Sequence, residues 1–300
     1  LGIKRALEFF RAHLEECRLC PRSCGVNRLK GDTGFCGAGS DLKVASYCLH
    51  TGEEPPVSGR NGSGTIFFAH CNMACVYCQN YPISQMGHGN TVTAERLAPM
   101  MLELQGRGAH NINLVTATHF LPRVVEAVFS ARDRGLGLPV LLNSSGYEST
   151  ETIEMLEGIV QVYLVDMRYA TEESALKYSD APDYPHRNRL AVTRMLDQAG
   201  PLRLGGSGTA VRGVIIRHLL LPSLAEETRA ILEFIANALG RDVPVSLMSQ
   251  YFPANRAHMF PEINRRITRQ EHLEALRLLD LHGLAEGWTQ DPALPGGPVA

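Results

Sequence analysis

The chain has no surplus of charge. Its 29 Lys and Arg stand against 31 Asp and Glu, for a net charge of -2. A strongly basic balance would argue for nucleic acid or an anionic membrane, and that argument is missing here. Aromatic residues are only 7% of the chain, with a single Trp. Nucleic-acid modification therefore has neither the basic nor the aromatic footprint it needs. No apolar run is long enough to span a bilayer. Residues 1–16 are charged and amphipathic, which does not fit a signal peptide. No internal repeat or low-complexity segment is present.

What remains is an ordinary globular composition with an unusual use of cysteine. Three hundred residues, 44% of them hydrophobic, suit one large domain or a main domain with an appendage. The eight cysteines are clustered, at spacings that metal loops use rather than spacings that staple distant strands. That usage predicts a reducing, cytoplasmic setting and sensitivity to oxygen.

The tightest cluster is Cys71-Asn-Met-Ala-Cys75-Val-Tyr-Cys78, spaced C-x3-C-x2-C. A structural zinc site takes four ligands in a closed tetrahedron. A cubane iron–sulfur cluster likewise has four corners to ligate. Three thiols on one loop would leave one iron open to bind a substrate.

The surrounding pattern predicts an α/β fold. Residues 1–16 show helical spacing at Ile3, Leu7, Phe10 and Leu14. A Cys- and Gly-rich loop, a short strand at 43–49 and a turn-rich connection over 50–63 follow. From residue 64 strands and helices alternate. The strands are expected at 65–69, 111–116, 139–142, 160–165, 211–219 and 243–248. The helices are expected near 93–107, 121–134, 149–157, 172–179, 186–199, 224–239 and 268–285. Apolar strands with crossover helices argue for a parallel sheet covered on both faces. The division expected is 1–62 for an N-terminal helix and four-cysteine segment, 63–290 for the main domain, and 291–300 for a loose tail.

Six such strands fit a doubly wound sheet or a partial barrel, and both place sites at strand carboxyl ends. The three-cysteine loop follows the first strand. Thr116-Ala-Thr118-His119, Asn143-Ser-Ser145-Gly146, Asp166-Met-Arg168, Arg217-His218 and Gln250-Tyr251 end the others. Polar groups thus gather at one rim.

Gly62-Ser-Gly-Thr-Ile-Phe-Phe-Ala-His-Cys71 through Cys78-Gln-Asn80 resembles the radical S-adenosylmethionine (SAM) enzymes. More narrowly, it resembles the pyruvate formate-lyase activating enzyme group, including homologues with an N-terminal Cys-Arg-Leu-Cys-Pro-Arg-Ser-Cys segment. The likeness covers about 17–260. It implies a partial (β/α)6 TIM-like barrel with a small N-terminal Cys-rich metal-binding segment. It also implies a [4Fe–4S] cluster on Cys71, Cys75 and Cys78 whose open iron is chelated by SAM. One-electron reduction, from a flavodoxin- or ferredoxin-type partner, would yield methionine and a hydrogen-abstracting 5′-deoxyadenosyl radical. In activating enzymes the target is a backbone glycine of a glycyl radical enzyme. A small molecule or another peptide fits the same residues.

By the same resemblance Tyr77 lies against the adenine, although a core tyrosine is the plain alternative. Many relatives have Gly-Gly-Glu where this chain has Thr116, Ala117 and Thr118, so Thr116, Thr118 and His119 are candidates for holding the SAM ammonium. His119 could instead cap the next helix. Asn143, Ser145 and Gly146 fall near SAM or substrate. Asp166 and Arg168 match an Asp-x-Lys pattern, with Arg in place of Lys, and Arg217 is a candidate partner for the SAM carboxylate. A plain salt bridge is the alternative for Asp166 and Arg168.

Cys17-x2-Cys20-x3-Cys24-x11-Cys36 supplies four more thiols. They suit a zinc tetrahedron or a second, fully ligated cluster, with ligand count and spacing leaning towards zinc. Cys48 reads as a buried apolar residue. His50, Glu53 and Glu54 read as solvated loop groups, and His70 as a structural histidine. The competing function is an electron-transfer or structural metal protein without SAM turnover, with His70 or Cys48 completing the cluster.

Overall fold

A computed structural model describes residues 2–290. The segment 291–300, expected as a tail, lies outside the described residues. Ten strands form β1 (Leu42–His50), β2 (Ser63–Phe68), β3 (Asn90–Val92), β4 (Ile112–Val115), β5 (Val140–Ser144), β6 (Val162–Asp166), β7 (Arg203–Leu204), β8 (Ala210–Leu219), β9 (Val245–Met248) and β10 (Gly287–Thr289). The helices are α1 (Ile3–Glu15), α2 (Pro55–Ser58), α3 (Tyr81–Ser84), α4 (Ala94–Gly106), α5 (Leu121–Asp133), α6 (Thr150–Met155), α7 (Glu172–Ser179), α8 (Tyr184–Ala199), α9 (Ala225–Phe234) and α10 (Arg269–His282).

The strand order is β10-β9-β8-β6-β5-β4-β2-β1-β3. From β2 to β10 every neighbouring pair is parallel. This is the α/β, mostly parallel sheet of a partial TIM-like barrel. The ends of the sheet, β3 and β10, do not pair, so it stays open. Parallel strands need crossover helices, and the chain supplies them in sequence. Strands β4, β5, β6 and β9 are buried almost throughout because helices cover one face and the barrel interior the other.

The strand expected at 43–49 is β1, while β3, β7 and β10 go beyond the strands expected. β1 pairs antiparallel with β2, and β3 with β1. β10 adds a seventh parallel strand. Helix starts follow local chemistry. Thr93 and Thr171 cap α4 and α7, and Thr268 with Glu271 makes a reciprocal capping box on α10. Cys48, expected to be buried, is only partly covered, because β1 lies near the sheet edge.

The main core lies between sheet and helices. A smaller inner cluster of Val57, Leu141, Val162, Leu164, Ala210 and Ile215 fills the bottom of the barrel. At the other end, beside the three-cysteine loop, is an aromatic cluster containing Tyr77, Tyr147, Tyr169, Tyr178, Tyr184 and Tyr251. Buried phenols need partners. Tyr184 donates to Ser145 O at 2.8 Å, and Tyr251 to Ile263 O at 2.7 Å. Among the described residues no helix is long and apolar enough to cross a membrane.

Candidate active site

The loop after β2 is fixed by its backbone. Ala74 and Val76 donate their N–H groups to Ser179 O and Tyr178 O at the end of α7, at 3.0 and 2.8 Å. Gln85 and Asn255 both donate to Cys75 O. His70, which opens the loop, adopts φ +70 and donates its N–H to Ile83 O at 2.9 Å. A positive φ is costly for a non-glycine residue, so this turn is held by its surroundings.

The three thiols face one cavity. Its wall also carries Thr116, Asn143, Ser145, Asp166, Arg168 and Arg217. Burial pushes the Cys71 thiol up to about 12 and raises Cys78 as well. Bare thiolates are therefore disfavoured here unless a metal compensates them. Ser179 Oγ lies 3.0 Å from Cys75 Sγ and also bonds Tyr169 Oη at 2.7 Å. Tyr169 shares a 2.6 Å hydrogen bond with Tyr77.

Beside the thiols is a largely buried charge network. Arg217 Nε donates to Asp166 Oδ1 at 2.8 Å, Nη2 to Asn143 Oδ1 at 2.6 Å, and Nη1 to Glu53 Oε2 at 3.4 Å. Arg168 Nη2 bonds the other Asp166 oxygen, and Nη1 lies 3.7 Å from Cys75 Sγ. Burial alone would raise Asp166, but Arg217 and Arg168 outweigh it and hold the carboxyl below its ordinary range. Burial raises Glu53 against the pull of Arg217.

Glu53 and Glu54 are a correction. The turn-rich stretch around them reads as solvated, yet they are 8% and 4% exposed. The chain enters the barrel from below, where Glu53 also accepts from Asn113 Nδ2 at 3.0 Å. Buried carboxylates are retained when paired, and both partners of Glu53, Asn113 and Arg217, come from distant strands. No local signal marks that burial.

Residues 65–235 match the family model described as the radical SAM superfamily. The chain belongs to that superfamily. A relative in Methanocaldococcus jannaschii, the uncharacterised protein MJ0674, is 30% identical over 287 residues, which is 93% of this chain and 78% of that protein. Among solved structures, methylornithine synthase (PylB) aligns with a TM-score of 0.51 at 17% identity, over 77% of this chain and 71% of its own. SuiB from Streptococcus suis bound to S-adenosylmethionine aligns at 0.51 with 9% identity, over 74% of this chain. The chain spans about half the length of SuiB, at 48%. These distant structures show the shared fold.

Superfamily membership brings a [4Fe–4S] cluster and SAM as cofactors, and the residues fit them. Three thiols suit a cluster with one open iron. On the same wall Arg168 Nε and Ser145 Oγ are buried without partners. Such unmet groups are what a polar ligand would satisfy.

The other sequence candidates land in different places. Thr116, Asn143, Ser145, Asp166, Arg168 and Arg217 all line the cavity. Tyr77 is 3% exposed, with its ring edge-on to Tyr251. Gly146 packs against Asn188 and Asp166 O, away from the cavity wall. Thr118 and His119 turn outward on a single 3-10 turn, Thr118–Phe120. Thr118 donates to Glu148 Oε1 at 2.6 Å, and His119 Nε2 bonds Ala69 O at 2.8 Å. Burial lowers His119 to about 3, so it stays neutral. His218 is likewise turned from the cavity, bonding Met167 O and Thr228 Oγ1. His70 lines the cavity beside the thiols.

Proposed function

We propose that this radical SAM enzyme takes a hydrogen atom from a substrate admitted through the open side of the barrel. A glycine-containing protein segment of a glycyl radical enzyme is the substrate class we favour, and a reducing cytoplasm the setting. The observation that carries the reading is the shared wall. Three thiols, one buried and two part-buried, share a cavity with a guanidinium, Arg168, that keeps one N–H free of partners. When bound, the cluster and SAM supply reductive cleavage of SAM to methionine and a 5′-deoxyadenosyl radical.

The chain's own residues bind and orient. Arg217 spends its donors on Asp166, Asn143 and Glu53. It therefore braces Asp166 and leaves the SAM carboxylate to Arg168. Asp166 in turn fixes the Arg168 plane. Thr116 and Ser145 supply hydroxyl acceptors for the ammonium. The tyrosine cluster excludes water behind the loop. Support for a peptide-like substrate comes from the activating-enzyme motif and from SuiB, which has been captured with its precursor peptide SuiA. The sheet's end strands, β3 and β10, do not pair, so such a segment would enter at the open side. A flavodoxin- or ferredoxin-type protein would supply the electron.

The test is anaerobic reconstitution with iron and sulfide, then dithionite and SAM, with 5′-deoxyadenosine followed by chromatography. Product should form with the wild type and be absent with Cys75→Ala. No product above that control from a protein with an intact cluster would refute the reading. In Arg168→Gln the affinity for SAM, read from its perturbation of the cluster's EPR signal, should fall about tenfold or more, consistent with a lost charge-assisted bond.

A further inference from the structure

We propose that Cys17, Cys20, Cys24 and Cys36 hold a second [4Fe–4S] cluster, ligated at all four corners by cysteine. The first three thiols are spaced C-x2-C-x3-C over residues 17–24. That is the reverse of C-x3-C-x2-C over 71–78, with the same span between outer thiols. A loop of that reach serves three corners of a cubane. Cys36 is the fourth thiol that the SAM-site loop lacks.

In the folded chain the four cysteines line one small pocket together with Arg28 and His119, with Cys24 at its exposed edge. Arg28 is 3% exposed. Its Nη2 donates to Cys17 Sγ at 3.1 Å and to Cys36 Sγ at 3.7 Å, and Nη1 bonds His119 O. Among the described residues no carboxylate pairs with it, and its Nε is buried without a partner. A buried guanidinium needs a compensating anion. Neutral thiols do not supply one, whereas a cluster with four thiolates carries net negative charge and sulfide acceptors.

The placement favours a cluster over a single zinc: a redox-active group in this pocket would stand beside the three-cysteine cavity and could pass it an electron, which zinc cannot do. The backbone leaves room as well. Cys17 N–H bonds Val26 O, and Gly25 N–H bonds Cys17 O, closing the loop. A Cβ at Gly34 would stand 2.8 Å from Cys24 Sγ, so glycine is what lets that thiol sit there.

The pocket backs directly onto the SAM site. Arg22 Nε donates to Asn72 O, beside Cys71, at 3.1 Å. The His119 ring, on the wall of the four-thiol pocket, lies 6.5 Å from the His70 ring on the SAM-site wall.

The proposal does not depend on SAM turnover, and the test separates the two. Anaerobically reconstituted wild type should hold about eight irons and eight sulfides per chain, and Cys20→Ala/Cys36→Ala about four. The complementary Cys71→Ala/Cys75→Ala/Cys78→Ala variant should keep about four irons, with a reduced EPR signal that SAM leaves unchanged. One zinc and about four irons in the wild type, with no iron or only zinc in the complementary variant, would overturn it. The complementary variant decides the matter even if the Cys20→Ala/Cys36→Ala protein fails to fold.

Discussion

Asp166→Asn is the sharpest perturbation of the wall of the three-cysteine cavity. The substitution keeps the shape and removes the charge. Asp166 is 8% exposed at its side chain and pairs with Arg217 (14%) and Arg168 (23%). At contact distance, with an effective dielectric of about 20, each pairing is worth roughly 4 kcal/mol before desolvation is subtracted. Removing one partner of a buried pair costs about 3–5 kcal/mol, because the remaining charge stays buried. Here two guanidiniums lose their shared carboxylate, and Glu53 meets only one of them, at 3.4 Å. The expected loss is therefore about 3–5 kcal/mol.

Glu53→Gln is the internal comparison. Glu53 makes the longer contact, and burial already raises its carboxyl. Its loss should cost about 1–2 kcal/mol. Urea midpoints by circular dichroism, at unchanged m, would measure both. The pH dependence has a definite sign. Asp166 is held below its ordinary value of 3.8. Its contribution is present above that value and is lost as pH falls through the folded pKa. The gap between Asp166→Asn and wild type should therefore narrow in strong acid. A cost below about 1 kcal/mol, or a larger cost for Glu53→Gln, would refute the assignment of Asp166 as the centre of the network.

Two further outcomes are expected. Burial raises Glu148 to about 7, against hydrogen bonds from Ser144 and Thr118. Its raised folded pKa adds stability that is full below about pH 4.5 and gone above about pH 7, so Glu148→Gln should flatten the wild-type decline in melting temperature across that window. An unchanged slope would show that Glu148 ionises freely. Gly146→Ala should cost at least about 2 kcal/mol, since φ is +72 and the new Cβ would lie 2.6 Å from Asp166 O. A variant as stable as wild type in the same urea titration would refute that packing.

The barrel strands were legible because burial on both faces writes itself as continuous apolar runs, as in Val140–Leu142 and Val162–Val165. Strands β3, β7 and β10 were not, since two or three residues carry no usable period. That Cys71, Cys75 and Cys78 line one cavity was legible from cysteine spacing alone. Thr118 and His119 show where strand-end reasoning stops. They follow Thr116 in sequence, but one 3-10 turn rotates them to the outer wall. Arg28 and Glu53 were invisible for a different reason. Their burial depends on partners 91 and 164 residues away, which no local pattern records.

Glu53 and Arg22 connect the segment before residue 63 to the cavity. Glu53 reaches the cavity network from below through Arg217, and Ser58 Oγ accepts the Glu53 N–H at 3.0 Å. Arg22 reaches it from outside through Asn72 O, one residue past Cys71. His70 fills the space between, its Nδ1 only 3.1 Å from where a Cβ on Gly37 would stand. Gly37 follows Cys36, so a metal-induced shift of Cys36 would press on the residue that opens the SAM-site loop. A well-packed interior transmits such a shift instead of absorbing it. The four-thiol segment thereby packs against the residue that opens the Cys71 loop.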